Sequence, residues 1–200
     1  IYTVGEHTIR SMQYIRADKV LRLTMLLHDV AKPVCRTEDE NGIHHFHGHP
    51  QVGAEMSRKI LRRLKFDNDT IHRVMALVRA HDDRPPLQGR SVRRAIYRNG
   101  TEQYPELFEV KRADILAQSS FLQQEKLLYV DRYEHMYQQI MEKEQCLSLK
   151  ELAVNGSDLI ARGIQPGKEI GEILHQMLEK VLEEPELNEK EVLLAWYFKA

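Results

Sequence analysis

Apolar residues recur at three- and four-residue intervals along nearly the whole chain, and no segment longer than a short hairpin alternates with the two-residue period of a strand. The pattern predicts an all-α protein. A first helix is expected over Tyr2 to Arg16, with Ile9, Met12 and Ile15 apolar and Thr3 as its cap. Val20, Leu21, Leu23, Met25, Leu26 and Leu27 make the second helix apolar over much of its circumference, which predicts a core position. Pro50 suits a first helical position, so a third helix runs from His49 to about Lys65 with the row Val52, Met56, Ile60, Leu64. A fourth, Asn68 to His81, carries Ile71, Val74 and Val78. A short helix capped by Ser91 runs through Tyr97, Pro105 opens another with the row Leu107, Val110, Asp114, Ala117, and a long charged helix spans Leu122 to Cys146.

Punctuation becomes denser after that point. Ser148-x-x-Glu151 reads as a capping box, Asn155-Gly156 as a stop, Ser157 or Asp158 as a cap, and Pro166-Gly167 opens a helix through about Glu184; Asn188-x-x-Glu191 caps the last one. The division expected is residues 1–146 as one helical bundle and 147–200 as a small helical module packed onto it, with no internal repeat.

Composition narrows the class. With 42% apolar residues in 200, the chain can build a core without staples. Cys35 and Cys146 have no metal-ligand spacing and read as reduced thiols of an intracellular, cytoplasmic protein. Charges balance at 29 basic and 30 acidic residues, so no global attraction to nucleic acid or membrane arises. No apolar run approaches the roughly 20 residues of a membrane helix, and the amino end has no signal-peptide pattern. The chain opens at Ile1, as a trimmed chain or a piece of a longer one would. Local basic faces, Arg58, Lys59, Arg62, Arg63 and Arg90, Arg93, Arg94, Arg98, are either solvated or phosphate-binding.

Candidate chemistry stands on the helix ends. His28-Asp29 closes an oily helix, just before Pro33 turns the chain away, and a carboxylate left unpaired there is costly. A buried His–Asp hydrogen bond or a shared cation would each satisfy it. Stepping along the helical rows places His49, His81 and Asp114 on core-facing positions, with His7 as a sixth member on the first helix, while His44, His45 and His47 crowd a loop or hairpin around Asn41-Gly42. Polar residues converging on a core from four or five helices call for a positive centre. Mixed imidazole and carboxylate ligands suit Mn, Fe, Co, Ni or Zn better than Mg, and ligands this scattered leave coordination positions open.

These residues carry a resemblance. His7, the His28-Asp29 pair followed by Lys32, and the distant Asp114 resemble the HD superfamily of metal-dependent phosphohydrolases. More narrowly, Leu27 to Pro33, His45-Phe46-His47-Gly48-His49 and Gly53-Ala54-Glu55 are similar to the HD domain of bacterial tRNA nucleotidyltransferases of the poly(A) polymerase family. Asn155 to Ile160 with Gly163 and Pro166 to Gly171 are similar to the RNA-binding helical tail of those enzymes. The resemblance implies an HD-domain bundle in which His7, His28, Asp29 and Asp114 hold one divalent metal. His49 and His81 would hold a second with Asp29 bridging, or contact phosphate if a single ion binds. It implies Asp29, Lys32, His49 and His81 as catalytic groups, Lys32 and more weakly Arg112 as phosphate-binding, and as substrate a phosphomonoester or 2',3'-cyclic phosphate on a nucleotide or RNA 3'-end, with tRNA a further candidate partner.

The nucleotide-adding head of that family, a Gly-Ser turn followed by a strand-borne Asp-x-Asp, is missing: the only such spacing, Asp67-Asn68-Asp69, opens a helix. The chain alone is therefore expected not to add CCA, as the body of a longer enzyme or a free-standing relative. Two other readings remain: a non-catalytic tRNA-binding body, and a regulatory hydrolase of small nucleotides.

Overall fold

The computed structural model describes residues 3–143 and 145–199. Among these are ten α-helices, one 3-10 turn and one two-stranded hairpin, an all-α fold as the periodicity predicts. The residues group into two compact units: those up to Arg84 with Asn99–Arg132, and Pro85–Arg98 with those from Tyr133 onward. This grouping follows contacts, whereas the boundary after residue 146 followed sequence punctuation, and the two place Pro85–Arg98 and the second half of the long helix differently.

The first unit holds α1 (Val4–Ser11), α2 (Lys19–Leu27), the hairpin β1 (Thr37–Glu38) and β2 (His44–His45), α3 (His49–Arg63), α4 (Asn68–Ala80), α6 (Tyr104–Ala117) and the first turns of α7 (Gln123–Glu142). Of the first helix expected over Tyr2 to Arg16, only Val4–Ser11 is helical, and Tyr2 lies outside the described residues. Its start is a capping box, Thr3 and Glu6 each accepting the other's backbone N–H. Asp18 caps α2 and Asp67 caps α4 by accepting from Leu21 N and Thr70 N.

α6 is the central helix. Nine of its residues are buried, Tyr104, Leu107, Phe108 and Val110 among them, and it packs against α1, α2 and α4. Fully burying side chains such as Leu21, Met25 and Phe108 contributes about 1.5–3 kcal/mol each. α3 departs from expectation: Val52 is 42% and Leu64 58% exposed, and the face against α4 is instead Gly53, Ala54, Ser57 and Leu61. Small residues allow the two helices to approach, so the packing row is shifted by one residue from the apolar one. His49 still lies on the inner face because it precedes Gly53 by one turn.

The second unit holds α5 (Gly89–Asn99) up to Arg98, the rest of α7, α8 (Gly156–Ala161), α9 (Lys168–Glu183), the 3-10 turn Pro185–Leu187 and α10 (Lys190–Lys199). Its core includes Val92, Ile96, Tyr133, Leu159, Ile173, Met177 and Leu182. Asn155 starts α8 rather than stopping a helix: its side chain accepts from Ser157 N and Asp158 N, and Asp158 returns the bond to Asn155 N. Residues 148–151 form a turn without a helix, in which Glu151 accepts from Leu147 N, and Asn188 accepts from Ala153 N and donates to Glu151 O.

The arginines of α5 are largely consumed inside this unit. Arg93 is buried and donates to Leu182 O at 2.7 Å, Glu183 O at 2.9 Å and Gln145 Oε1 at 3.3 Å. It caps the carboxyl end of α9, where a positive charge complements the exposed carbonyls. Arg90 and Arg94 pair with Glu183 and Glu179. Among the described residues, no helix is long and apolar enough to cross a membrane.

Candidate metal centre

Every residue expected at the centre is buried: His7, His28, Asp29, His49, His81 and Asp114. They meet because five helices end or pass at one place, with His7 carried on α1. His28 and Asp29 lie in the tight turns that follow α2, held by Val30 N to Leu27 O and Lys32 N to Asp29 O. His49 opens α3 after Gly48, whose φ of 74° is left-handed and natural for glycine. His81 is the carboxyl cap of α4, and Asp114 sits on the buried row of α6.

The imidazoles are oriented by their backbones. The Nδ1 atoms of His28, His49 and His81 lie 2.7, 2.8 and 2.7 Å from the carbonyl oxygens of Met25, Phe46 and Val78. A carbonyl only accepts, so each Nδ1 carries the proton and, in a neutral ring, Nε2 presents a lone pair inward. His49 Nε2 and His81 Nε2 approach to 3.3 Å, two acceptors with no donor between them.

Asp29 lies at the middle, and its two oxygens face different partners. Oδ2 is 3.3 Å from His28 Nε2 and 3.6 Å from His7 Nε2; Oδ1 is 3.5 Å from His49 Nε2 and 3.6 Å from His81 Nε2. Asp114 Oδ1 completes the first group, 2.8 Å from His7 Nε2 and 3.6 Å from His28 Nε2. Lys32 Nζ pairs with Asp29 Oδ2 at 2.7 Å, while Asp29 Oδ1 is buried with no hydrogen-bond partner.

The donor set fits a divalent cation. Ligands about 2.0–2.2 Å from one ion stand roughly 3.0–3.6 Å apart at ordinary coordination angles, which matches these separations. His7, His28 and Asp29 could hold one ion and Asp29, His49 and His81 another. The orphaned Asp29 oxygen supports the fit, since a buried acceptor facing two lone pairs is otherwise unfavourable.

The electrostatics give the same account. Burial opposes charge on His28, yet the carboxylates of Asp114 and Asp29, 3.6 and 3.3 Å from its Nε2, prevail and raise its pKa to about 9. That proton occupies the position of a cation. Burial likewise opposes charge on the carboxylates, but the His28 imidazolium beside both, with Lys32 against Asp29 and His7 2.8 Å from Asp114, holds them well below the usual carboxylate range. Burial lowers the pKa of His49.

A polar cavity of about 410 Å³ opens onto the centre, lined by Lys32, His45, Phe46, His47, Arg84 and Gln118 as well as His49, His81 and Asp114. Lys32 thus reaches both Asp29 and the space a ligand would fill. Arg112 is not among the lining residues and pairs with Asp131 at 2.7 Å. Three functional candidates escaped the sequence. Arg84 lines the cavity from the segment after α4, Gln118 donates to Asp114 Oδ2 at 3.0 Å, and the buried Lys111 donates to the carbonyls of Ala80, His81 and Asp83 at 3.3, 2.8 and 2.6 Å. Only Gln118 had a signal, one turn beyond Asp114 on the same helix face.

Fold and cluster together define an all-α protein built around an internal imidazole–carboxylate centre suited to a divalent metal. The chain belongs to the tRNA nucleotidyltransferase domain 2 family, whose sequence model matches residues 37–197. It is 33% identical over 180 residues to a CC-adding tRNA nucleotidyltransferase of Thermus thermophilus, covering 87% of this chain and 40% of the relative. It is 31% identical over 185 residues to an A-adding tRNA nucleotidyltransferase of Deinococcus radiodurans, covering 88% and 42%. The chain therefore spans about two-fifths of the length of these curated relatives. His49, His81 and Asp114 lie inside the family match; His7, His28 and Asp29 precede it.

Proposed function

We propose that the chain is the metal-binding helical body of a tRNA nucleotidyltransferase family protein, and that its centre is an HD-type phosphohydrolase site. Its substrate would be a phosphomonoester or 2',3'-cyclic phosphate on a nucleotide or RNA 3'-end. The observation that carries this reading is Asp29, buried between two imidazole groups with one oxygen facing each. His7, His28, Asp29 and Asp114 would hold one ion and His49 and His81 a second through Asp29, with Mn, Fe, Co, Ni or Zn favoured by the ligand types. A metal bound there supplies a water of lowered pKa. The protein's own groups do the rest: Lys32 and Arg84, both lining the polar cavity, neutralise the phosphate, and the Nδ1–H bonds hold the imidazoles in the tautomer that ligates.

Among the described residues, no strand carries the Asp-x-Asp pair of a nucleotide-adding head: Asp67 and Asp69, the one such pair in the sequence, cap and open α4. The test is elemental analysis of the purified protein together with turnover of p-nitrophenyl phosphate and 2',3'-cyclic nucleotides under a panel of divalent ions. Asp29→Ala is expected to abolish turnover with helical content unchanged; full metal-dependent activity in that variant would remove the mechanism.

A second reading is a non-catalytic tRNA-binding body. The observation favouring it is the outer face of α3, where Lys59, Arg62, Arg63 and the following Lys65 are all exposed. In that case tRNA affinity falls steeply with salt and no divalent ion gives turnover.

A further inference from the structure

A second cavity, of about 300 Å³, lies between α6 and the first two turns of α7 and shares His81, Asp114 and Arg84 with the polar one. Its character is different. Ile115 comes from α6, one residue after Asp114, while Leu122, Tyr129 and Val130 come from one side of α7 and the residue before it, so the walls are aliphatic and aromatic. Arg84, Lys111, Glu125 and Lys126 also line it, beside the two residues of the centre, yet most of the wall surface is apolar. Leu122 holds a left-handed backbone with φ of 54°, which costs a non-glycine residue about 1–2 kcal/mol and is the kind of strain that collects at binding sites. Lys126 donates to Gln118 Oε1 at 2.8 Å, and Gln118 in turn donates to Asp114, so the cavity wall is bonded to the centre.

We propose that this cavity binds the base of a nucleoside whose phosphate lies at the metal centre, with the ring held against Tyr129 and the aliphatic walls. The inference rests on the phosphohydrolase reading for the position of the phosphate. The volume is at the small end of ligand pockets, roughly 300–1,000 Å³, which suits one flat heterocycle and not an extended chain. A slot with mostly apolar walls beside a centre that would hold a cation is the division a nucleotide requires: the ring leaves water while the phosphate meets charge. Glu125 offers an acceptor for an exocyclic amino group, and Arg84, common to both cavities, stands where base and phosphate would join. Burial raises the Tyr129 pKa to about 12, so its ring carries no charge at neutral pH.

The test uses the full chain. Adenosine, which has no phosphate, is titrated into metal-free protein by ligand-observed NMR, and adenosine 3'-monophosphate and glycerol 2-phosphate are compared as substrates of the metal-loaded protein. Adenosine is expected to bind, and KM to be at least about tenfold lower for the nucleotide, as one stacked base allows. Tyr129→Ala is expected to raise nucleotide KM about tenfold more than that of glycerol phosphate, and Ile115→Phe, which fills the slot, to abolish adenosine binding. Equal KM values, or adenosine binding indifferent to both substitutions, overturn the base site and leave the hydrolase reading standing. Adenosine binding that both substitutions remove, without turnover of any phosphate ester, supports the base site while the hydrolase reading fails. An oligonucleotide ending in the same 3'-phosphate shows whether the nucleoside is free or an RNA terminus: tighter binding than the mononucleotide assigns it to RNA, weaker binding to a free nucleotide.

Discussion

Lys111→Met tests how the centre is held in place. Lys111 is 4% exposed, and its ammonium donates to three carbonyls at the carboxyl end of α4 and just beyond, one of them that of His81 itself. Methionine keeps the apolar stem and removes the donors. Hydrogen bonds to a charged group contribute about 1.5–3 kcal/mol each. Against this, withdrawing the ammonium from water costs several kcal/mol that methionine avoids. The expected net loss is about 2–4 kcal/mol, read by guanidinium denaturation, with a fall in metal affinity because His81 loses its anchor. Stability against pH gives an independent check. Burial lowers the Lys111 pKa from 10.5 to about 8, so between those values the unfolded chain holds a proton that the folded chain has released. Stability therefore rises with pH across this window, by up to about 1.4 kcal/mol per pH unit, and the slope is absent from the variant. A variant within about 0.5 kcal/mol of the parent, with the same pH slope and unchanged metal affinity, refutes the reasoning.

Two further outcomes follow from the described geometry. Because His28 carries a proton with a pKa near 9 in the metal-free protein, an ion entering that position displaces it: affinity rises with pH up to about 9, and the heat of metal binding at neutral pH changes with the buffer's ionisation enthalpy, whereas buffer-independent heat contradicts the assignment. Arg93→Ala leaves the carbonyls of Leu182 and Glu183 without their donor and is expected to destabilise the protein by about 2–3 kcal/mol in thermal melting, with metal stoichiometry unchanged.

What could be read from the sequence depended on how each residue's role was encoded. His81 and Asp114 were legible because each continues a row of large apolar residues, Ile71, Val74, Val78 and Leu107, Val110, and those rows are buried in the structure. His49 was placed inward on a row, Val52 to Leu64, that is mostly not the packing row. Gly53, Ala54 and Ser57 make the contact, and small residues that permit close approach leave no hydropathy signal. The pattern puts the start of α8 at Ser157 or Asp158 because Asn155-Gly156 also has the form of a helix stop, whereas Asn155 and Asp158 together make the capping box. Lys111 and Arg93 were invisible for a different reason: each is a buried cation that serves carbonyls roughly 30 or 90 positions away in sequence, and no local pattern announces such a partner. Both cavities arise only from tertiary packing.

Asp29 offers its two oxygens from a single rigid plane, so the halves of the centre share one torsion angle. Whatever first settles in one half arrests that rotation and leaves the other half already aligned, at a smaller entropic cost than it would bear alone. The same sharing removes independence: no substitution at Asp29 can retune one half without disturbing its neighbour.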